Sequence, residues 1–197
     1  MRVHLSWSTV CADAGPRYAR ATFGNYETAT SGPQREALTA VQQFAKNVSE
    51  HVESGHGLLL FGPPGTGKDH LMFACIRHAC IAGKSVEWRN GLDWFGRLRD
   101  RIESGGAEET AVRDLANCDV LALSDPLPPH GDLSSYQGQM LLRVIDRRYR
   151  RMKSTWVTMN VADRKEAEQR MGPALVDRLR DAALAIHCNW ESHRRGL

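Results

Sequence analysis

At 197 residues the chain has room for one domain with a substantial core and a short appendage, and none for a second enzymatic domain. Apolar residues at 42% and charged residues at 25% exclude a disordered or fibrous chain, and a net charge of +3 is too small to argue by itself for a polyanionic partner. No apolar run approaches the roughly 18 residues that cross a bilayer, and the opening MRVHLSWSTV lacks the apolar stretch of a signal peptide, so a cytoplasmic location with no membrane partner is expected.

Residues 1–22 show no sustained periodicity and contain Gly15-Pro16 followed by Arg17 and Arg20, which predicts an irregular N-terminal arm ahead of a domain over 23–197. From 33 to 52, Ala37, Leu38, Val41, Phe44, Ala45, Val48 and Val52 recur every three or four positions. That spacing predicts an amphipathic helix with Pro33 near its start and Ser54-Gly55-His56-Gly57 as its stop. The apolar run 58–61, a glycine-rich turn and a helical pattern over 68–82 closed by Gly83 predict strand, phosphate loop and helix. A strand at 85–89 follows, then a helix through Leu92, Phe95, Leu98 and Ile102 that breaks at Ser104-Gly105-Gly106. A short helix leads to Asp119, and 120–123 reads as a buried parallel strand. Beyond the proline- and glycine-rich loop 124–135 come a helix at 136–153, a strand at 155–159, helices at 163–171 and 173–180, and a strand at 184–187. Strands alternating with helices predict an α/β fold with a mostly parallel, five-stranded sheet. Cys11, Cys75, Cys80, Cys118 and Cys188 form an odd set with no C-x-x-C pair, so they are expected to be reduced and mostly buried.

The run Gly62-Pro63-Pro64-Gly65-Thr66-Gly67-Lys68 fits G-x-x-x-x-G-K. Its glycines let backbone N–H groups converge on phosphate oxygens, its lysine reaches the β and γ phosphates, and the next helix adds its positive end. ATP with Mg2+ is the expected ligand. Loops of this kind continue with Ser or Thr, whose hydroxyl coordinates the metal, whereas this chain has Asp69. A carboxylate can also hold magnesium, at the cost of negative charge beside the triphosphate; the alternative is that Asp69 only serves the helix N-terminus.

With the loop placed, the chain over 23–194 resembles the DnaC-type bacterial helicase loaders and the related IstB-type transposition ATPases of the AAA+ class. The resemblance rests on Phe23-Gly24-Asn25-Tyr26, on Gly65-Thr66-Gly67-Lys68-Asp69-His70-Leu71 and on Gly83-Lys84-Ser85-Val86. It continues through Val144-Ile145-Asp146-Arg147-Arg148, Thr158-Met159-Asn160, Val176-Asp177-Arg178-Leu179-Arg180 and Asn189-Trp190-Glu191-Ser192-His193-Arg194. It implies a P-loop NTPase fold in which 62–70 grip ATP or ADP. Asn160 matches the sensor that orients water, against the alternative of a helix cap. Arg178, with Arg180 nearby, matches the arginine that reaches a neighbouring subunit's γ-phosphate; on residues alone it also fits a salt-bridged helix face. Tyr26 is assigned either to stacking on adenine or to core packing.

The acidic motif departs from the family, because Leu121-Ala122-Leu123 runs into Ser124-Asp125 where Asp and Asp or Glu are expected. Asp125 is then metal ligand or catalytic group, depending on register, and hydrolysis is expected to be slow or switch-like. About 22 residues precede Phe23 and about ten follow the last strand, so neither a helicase-docking domain nor a helical lid is expected within this chain. The implied role is an ATP-binding accessory of DNA replication that forms nucleotide-dependent homo-oligomers and engages a replicative helicase or other DNA-processing protein. A transposase helper and a non-hydrolysing adaptor are the alternatives.

Positive charge gathers at Arg143, Arg147, Arg148, Arg150, Arg151 and Lys153 and again at Arg89, Arg97, Arg99 and Arg101. These clusters fit single-stranded DNA, with Trp88, Trp94 or Trp156 as stacking faces, or else ordinary interface and surface charge; Trp156 is expected in the core.

Overall fold

Five short apolar segments set the centre of the fold: β1 (Gly57–Phe61), β2 (Val86–Asn90), β3 (Val120–Ser124), β4 (Ser154–Met159) and β5 (Ala183–His187). They pair in the order β2-β3-β4-β1-β5, every pair parallel. The structure is a computed structural model that describes residues 3–28, 32–103 and 108–193, with the side chains of 3–6, 92 and 101–103 outside the description. The expected break at Ser104-Gly105-Gly106, Arg194, and the side chains of Leu92, Arg101 and Ile102 thus lie outside the described residues.

Helices cover both faces: α1 (Val3–Ala14), α2 (Pro16–Ala19), α3 (Pro33–Lys46), α4 (Val48–Glu53), α5 (Lys68–Ile81), α6 (Gly91–Glu103), α7 (Glu108–Asn117), α8 (Ser135–Arg150), α9 (Arg164–Met171) and α10 (Pro173–Arg180). Because strand side chains alternate, Leu58, Leu60, Val120, Ala122 and Trp156 join one core with α1, α3, α4 and α5. Leu59, Leu121, Leu123, Val157 and Met159 face the other way, into a second core with α6 to α10. With both faces buried, β3 has no polar face at all, as a central parallel strand requires. After β5 no helix follows among the described residues.

Two expectations change. The helix predicted over 33–52 is two helices, interrupted at Asn47 (φ −102°, ψ 24°), while its seven apolar positions are all buried. The segment expected to be irregular carries α1 and α2. Val10 and Ala21 enter the core at 2% and 4% exposure, α1 lies against β2 and α5, and Tyr18 stacks on Phe73 with ring centres 4.7 Å apart. So short an apolar pattern does not stabilise a helix alone; docking supplies the stability.

The N-terminal edge of the sheet is stitched by one buried cation. Arg148 of α8, expected on a basic surface, is 0% exposed. It donates to the carbonyls of Leu115 (2.7 Å), Cys118 (3.0 Å), Asp119 (3.2 Å) and Ser154 (2.5 Å) and to Thr155 Oγ1 (3.0 Å). It thus joins the end of α7 to the starts of β3 and β4. Asp119, just before β3, accepts from the Ser85 N–H (3.0 Å), the Ser85 hydroxyl (2.7 Å) and Lys153 Nζ (2.9 Å). Burial alone raises the Asp119 pKa, but the Ser85 N–H, Lys153 and the Ser85 hydroxyl outweigh it and hold the carboxyl at about 2, below the ordinary 3.8.

Arg148→Met is expected to cost about 3 kcal/mol or more in urea unfolding, since it leaves several buried carbonyls without donors. The Asp119 contribution has the sign of a depressed acid: full above 3.8 and lost as pH falls through about 2. Asp119→Ala should therefore lower stability near neutral pH by about 1 kcal/mol or less after solvent screening, read as a lower melting temperature. The gap from the native chain should close as the pH is taken down through that window.

Candidate functional site

β1 ends at Phe61 and the chain turns at once through the phosphate loop into α5. Gly62 (φ +138°) and Gly67 (φ +87°) hold conformations that L side chains rarely adopt. A Cβ on Gly62 would strike the carbonyl of Cys188, and one on Gly67 would lie 2.7 Å from the Tyr26 ring. Lys68, 5% exposed, curls back over the loop, its Nζ donating to the Gly62 (2.9 Å) and Pro63 (2.7 Å) carbonyls and, at 3.4 Å, to Thr66 Oγ1. The ammonium is thus fixed where the phosphate loop's backbone converges.

Asp69 does not cap α5. The N-cap is Gly67, with no side-chain cap bond, and the Asp69 carboxylate turns toward the sheet. Its Oδ1 accepts from Ser124 Oγ (2.5 Å) and Thr158 Oγ1 (2.7 Å), and its Oδ2 lies 3.5 Å from the Tyr18 hydroxyl. Ser124 and Thr158 are register partners on β3 and β4, both buried. Asp125 follows at a left-handed turn (φ +45°), its N–H bonded to the Thr158 carbonyl at 3.1 Å. Asn160 lines the same cavity; the cap of α9 is Asp163, which accepts from the Glu166 N–H at 2.9 Å, so helix capping does not account for Asn160.

The cavity holds about 310 Å³, and its lining includes Lys68, Asp69, His70, Asp125 and Asn160 together with Arg17, Tyr18 and Asn25. Asp69 and Asp125 bring carboxylate oxygens to the cavity wall, the donor type that hard cations take. Among the described residues no group of three or more His, Cys, Asp or Glu side chains could hold a metal ion. These donors fit Mg2+ shared with substrate phosphates, which takes one or two carboxylates rather than an all-protein cage.

The sequence missed several of these residues. Thr158 went unassigned, although a hydroxyl at the tip of a buried strand beside the phosphate loop was a usable signal. The Thr66 carbonyl accepts from the Tyr26 hydroxyl (3.1 Å) and from Trp190 Nε1 (2.9 Å), and the Gly65 carbonyl from the His193 N–H (2.9 Å). Tyr26 is therefore a brace of the loop, and its largely buried ring also forms part of the cavity lining. It is 7% exposed, its ring edge-on to His70 and His193, and burial pushes its phenol up to about 12, so its donor proton stays in place. His70 Nε2 meets the Thr22 carbonyl at 2.8 Å, tying α5 to the segment ahead of Tyr26.

Arg178 is not in this cavity. It lies at the opposite end of the sheet, in a second hollow with Gly57, Thr155 and Ala182, and its Nε donates to Asp146 Oδ1 at 2.9 Å. Five residues of strand separate it from the phosphate loop, roughly 16 Å. It cannot serve the cavity of its own chain.

The basic clusters are largely neutralised. Arg143 pairs with Glu108 and Glu109, Arg147 with Glu109 (2.6 Å), Arg150 with Asp146 (2.9 Å) and Lys153 with Asp119, while Arg151 bonds Asn117. Arg89 pairs with Glu87 (2.7 Å), and Arg97 and Arg99 are exposed. Trp88, Trp94 and Trp156 are all buried, at 7%, 5% and 0%, so none offers a stacking face.

A family model described as IstB-like ATP binding protein matches residues 19–196. The replicative helicase loader DnaC of Escherichia coli strain K12 is 29% identical over 181 residues, 91% of this chain and 71% of that protein. A putative insertion sequence ATP-binding protein of Sinorhizobium fredii is 33% identical over 148 residues, covering 72% of this chain and 47% of that protein. The crystal structure of the DnaC helicase loader superposes with a TM-score of 0.76 at 25% identity, covering 88% of this chain and 99% of that one. The replication initiator DnaA bound to AMPPCP and single-stranded DNA shares the fold, with a TM-score of 0.69 at 18% identity over 88% of this chain and 50% of that one.

Because the buried Thr66 carbonyl has two donors, Tyr26→Phe or Trp190→Phe alone should cost about 1 kcal/mol in unfolding free energy. The double variant should exceed the sum of the two by a further ~1 kcal/mol, since only it strips the carbonyl of both. Additive losses would show that the two side chains do not share this role.

Proposed function

This chain belongs to the IstB-like ATP-binding protein family, and from that premise we propose that it is an ATP-binding accessory protein of DNA replication, of the helicase-loader kind. The observation that carries the reading is Lys68 held by the Gly62 and Pro63 carbonyls at the mouth of a cavity faced by Asp69, Asp125 and Asn160. There the lysine meets the β and γ phosphates as a point charge, and the loop N–H groups and the start of α5 take up the remaining negative charge.

Asp69 and Asp125 would hold Mg2+, which when bound neutralises charge on the phosphates. Asn160 orients water, and Asp125 is the carboxylate at the strand tip that takes its proton. Ser124 supplies no second acid there, so turnover is slow and the nucleotide acts chiefly as a switch. Arg178, remote from its own cavity, serves a neighbouring copy in a nucleotide-dependent homo-oligomer, where an arginine supplied in trans adds about 10³–10⁵ in rate in well-studied NTPases. The client is a replicative helicase, by likeness to the DnaC relatives. Each arginine of α8 is already engaged within the chain, so the link to DNA runs through the client rather than through direct phosphate contacts of that helix. The Sinorhizobium fredii relative favours a second reading, a transposase helper; co-purification with a helicase hexamer or with a transposase separates the two.

Calorimetry with ADP in magnesium buffer tests the core of the proposal. Removing one charge-assisted contact, about 1.5–3 kcal/mol, predicts that Lys68→Ala weakens binding about 10- to 100-fold. A native protein that gives no heat with ATP or ADP would overturn the reading. In steady-state assays the native chain should hydrolyse ATP slowly, and Asp125→Asn and Arg178→Ala should each abolish it.

A further inference from the structure

Phosphate loops of this type place a hydroxyl after the lysine and a carboxylate at the neighbouring strand tip, and the two together hold the metal. Here both positions are altered at once. Asp69 follows Lys68, and Ser124 ends β3. The two side chains still meet, Ser124 Oγ donating to Asp69 Oδ1 at 2.5 Å, with Thr158 Oγ1 donating to the same oxygen at 2.7 Å.

We propose that the metal-binding pair is transposed: the carboxylate that takes the divalent cation is Asp69 on α5, and Ser124 with Thr158 position it. The inference rests on the nucleotide-binding reading above and deepens it. Its geometry is that of a ligand with its supporting groups already in place. One carboxylate oxygen is pinned by two buried hydroxyls, which fixes the plane of the group, while Asp69 forms part of the cavity wall. Carboxylates that ligate metals are themselves hydrogen-bonded in this way, and losing such a partner typically weakens metal binding about 10- to 100-fold. The exchange also keeps the composition of the pair, one carboxylate and one hydroxyl, so the charge at the site is unchanged while its location moves from strand to helix.

The test uses Mn2+ titrated into the protein·ADP complex, with free Mn2+ read by electron paramagnetic resonance, so that metal affinity is measured without turnover. Asp69→Asn, nearly isosteric, should lose at least about 10-fold in Mn2+ affinity, and Ser124→Ala should lose about 10-fold. The double exchange D69S/S124D, which returns the carboxylate to the strand, should recover most of the loss. Overturning results are an Asp69→Asn complex that holds Mn2+ as tightly as the native one, a loss confined to Asp125→Asn, or a folded double variant no better than Asp69→Asn. Should the double variant fail to fold, the Asp69→Asn measurement still decides which carboxylate holds the metal. A native chain that binds no ADP, with or without metal, defeats the nucleotide reading instead; ADP binding with an indifferent Asp69→Asn defeats only this inference.

Discussion

The site depends on the lateral register of three parallel strands. Phe61 stands opposite Met159, and Thr158 opposite Ser124, so the phosphate loop leaves β1 level with the tips of β4 and β3. Register in a sheet buried on both faces is strongly specified, because a slip of one residue turns every side chain to the opposite core. Such a slip of β3 would replace Ser124 by Leu123 beneath Asp69. The other end of the sheet guards against it: Arg148 bridges the starts of β3 and β4, and Asp119 ties the start of β3 to Ser85 ahead of β2. Among the described residues Arg148 pairs with no carboxylate, which is unusual in a core, yet its fork is matched by main-chain oxygens at the end of a helix and the starts of two strands. Arg148 at one end and the phosphate-loop Lys68 at the other are thus held by the same device, carbonyls converging on a buried positive charge.

Much of this was legible in the sequence because its signals are local. The apolar runs at 58–61 and 120–123 and the loop at 62–68 each lie within a short stretch and formed as expected, and the periodicity of 33–52 marked the buried face correctly although the helix breaks at Asn47. What escaped was carried by contacts distant in sequence. Arg148 looks like one more member of a basic helix until the ends of α7, β3 and β4 close around it. The charges of Arg143 and Arg147 are answered by Glu108 and Glu109, more than thirty positions away. The helix α1 has too little pattern of its own and is ordered by docking. Thr158 and Trp190 acquire their roles only when β4 and the C-terminal segment are laid beside the phosphate loop.

The exchange of Asp69 and Ser124 shows why motif reading at single positions misleads here. Taken separately, a carboxylate after Lys68 and a hydroxyl at the end of β3 each count as a defect, and two defects suggest a failed site. Joined by a hydrogen bond they form one unit. Moving the carboxylate to the first turn of α5 sets it in the favourable field at a helix N-terminus, worth about 0.3–1 kcal/mol, and close to Lys68. It also leaves Asp125 as the acid at the strand tip, its backbone held by a left-handed turn and an N–H bond to the Thr158 carbonyl. On that proposal the principal metal ligand sits on the helix, while the water answers to Asp125 at the strand tip. Closing the site over nucleotide requires α5 and the tip of β3 to keep their spacing, which Ser124 and Thr158 already enforce. A site whose ligand is pinned beforehand resists reorganisation. On the proposed reading such a site would hold nucleotide and metal steadily and turn over slowly, which is the behaviour a switch needs.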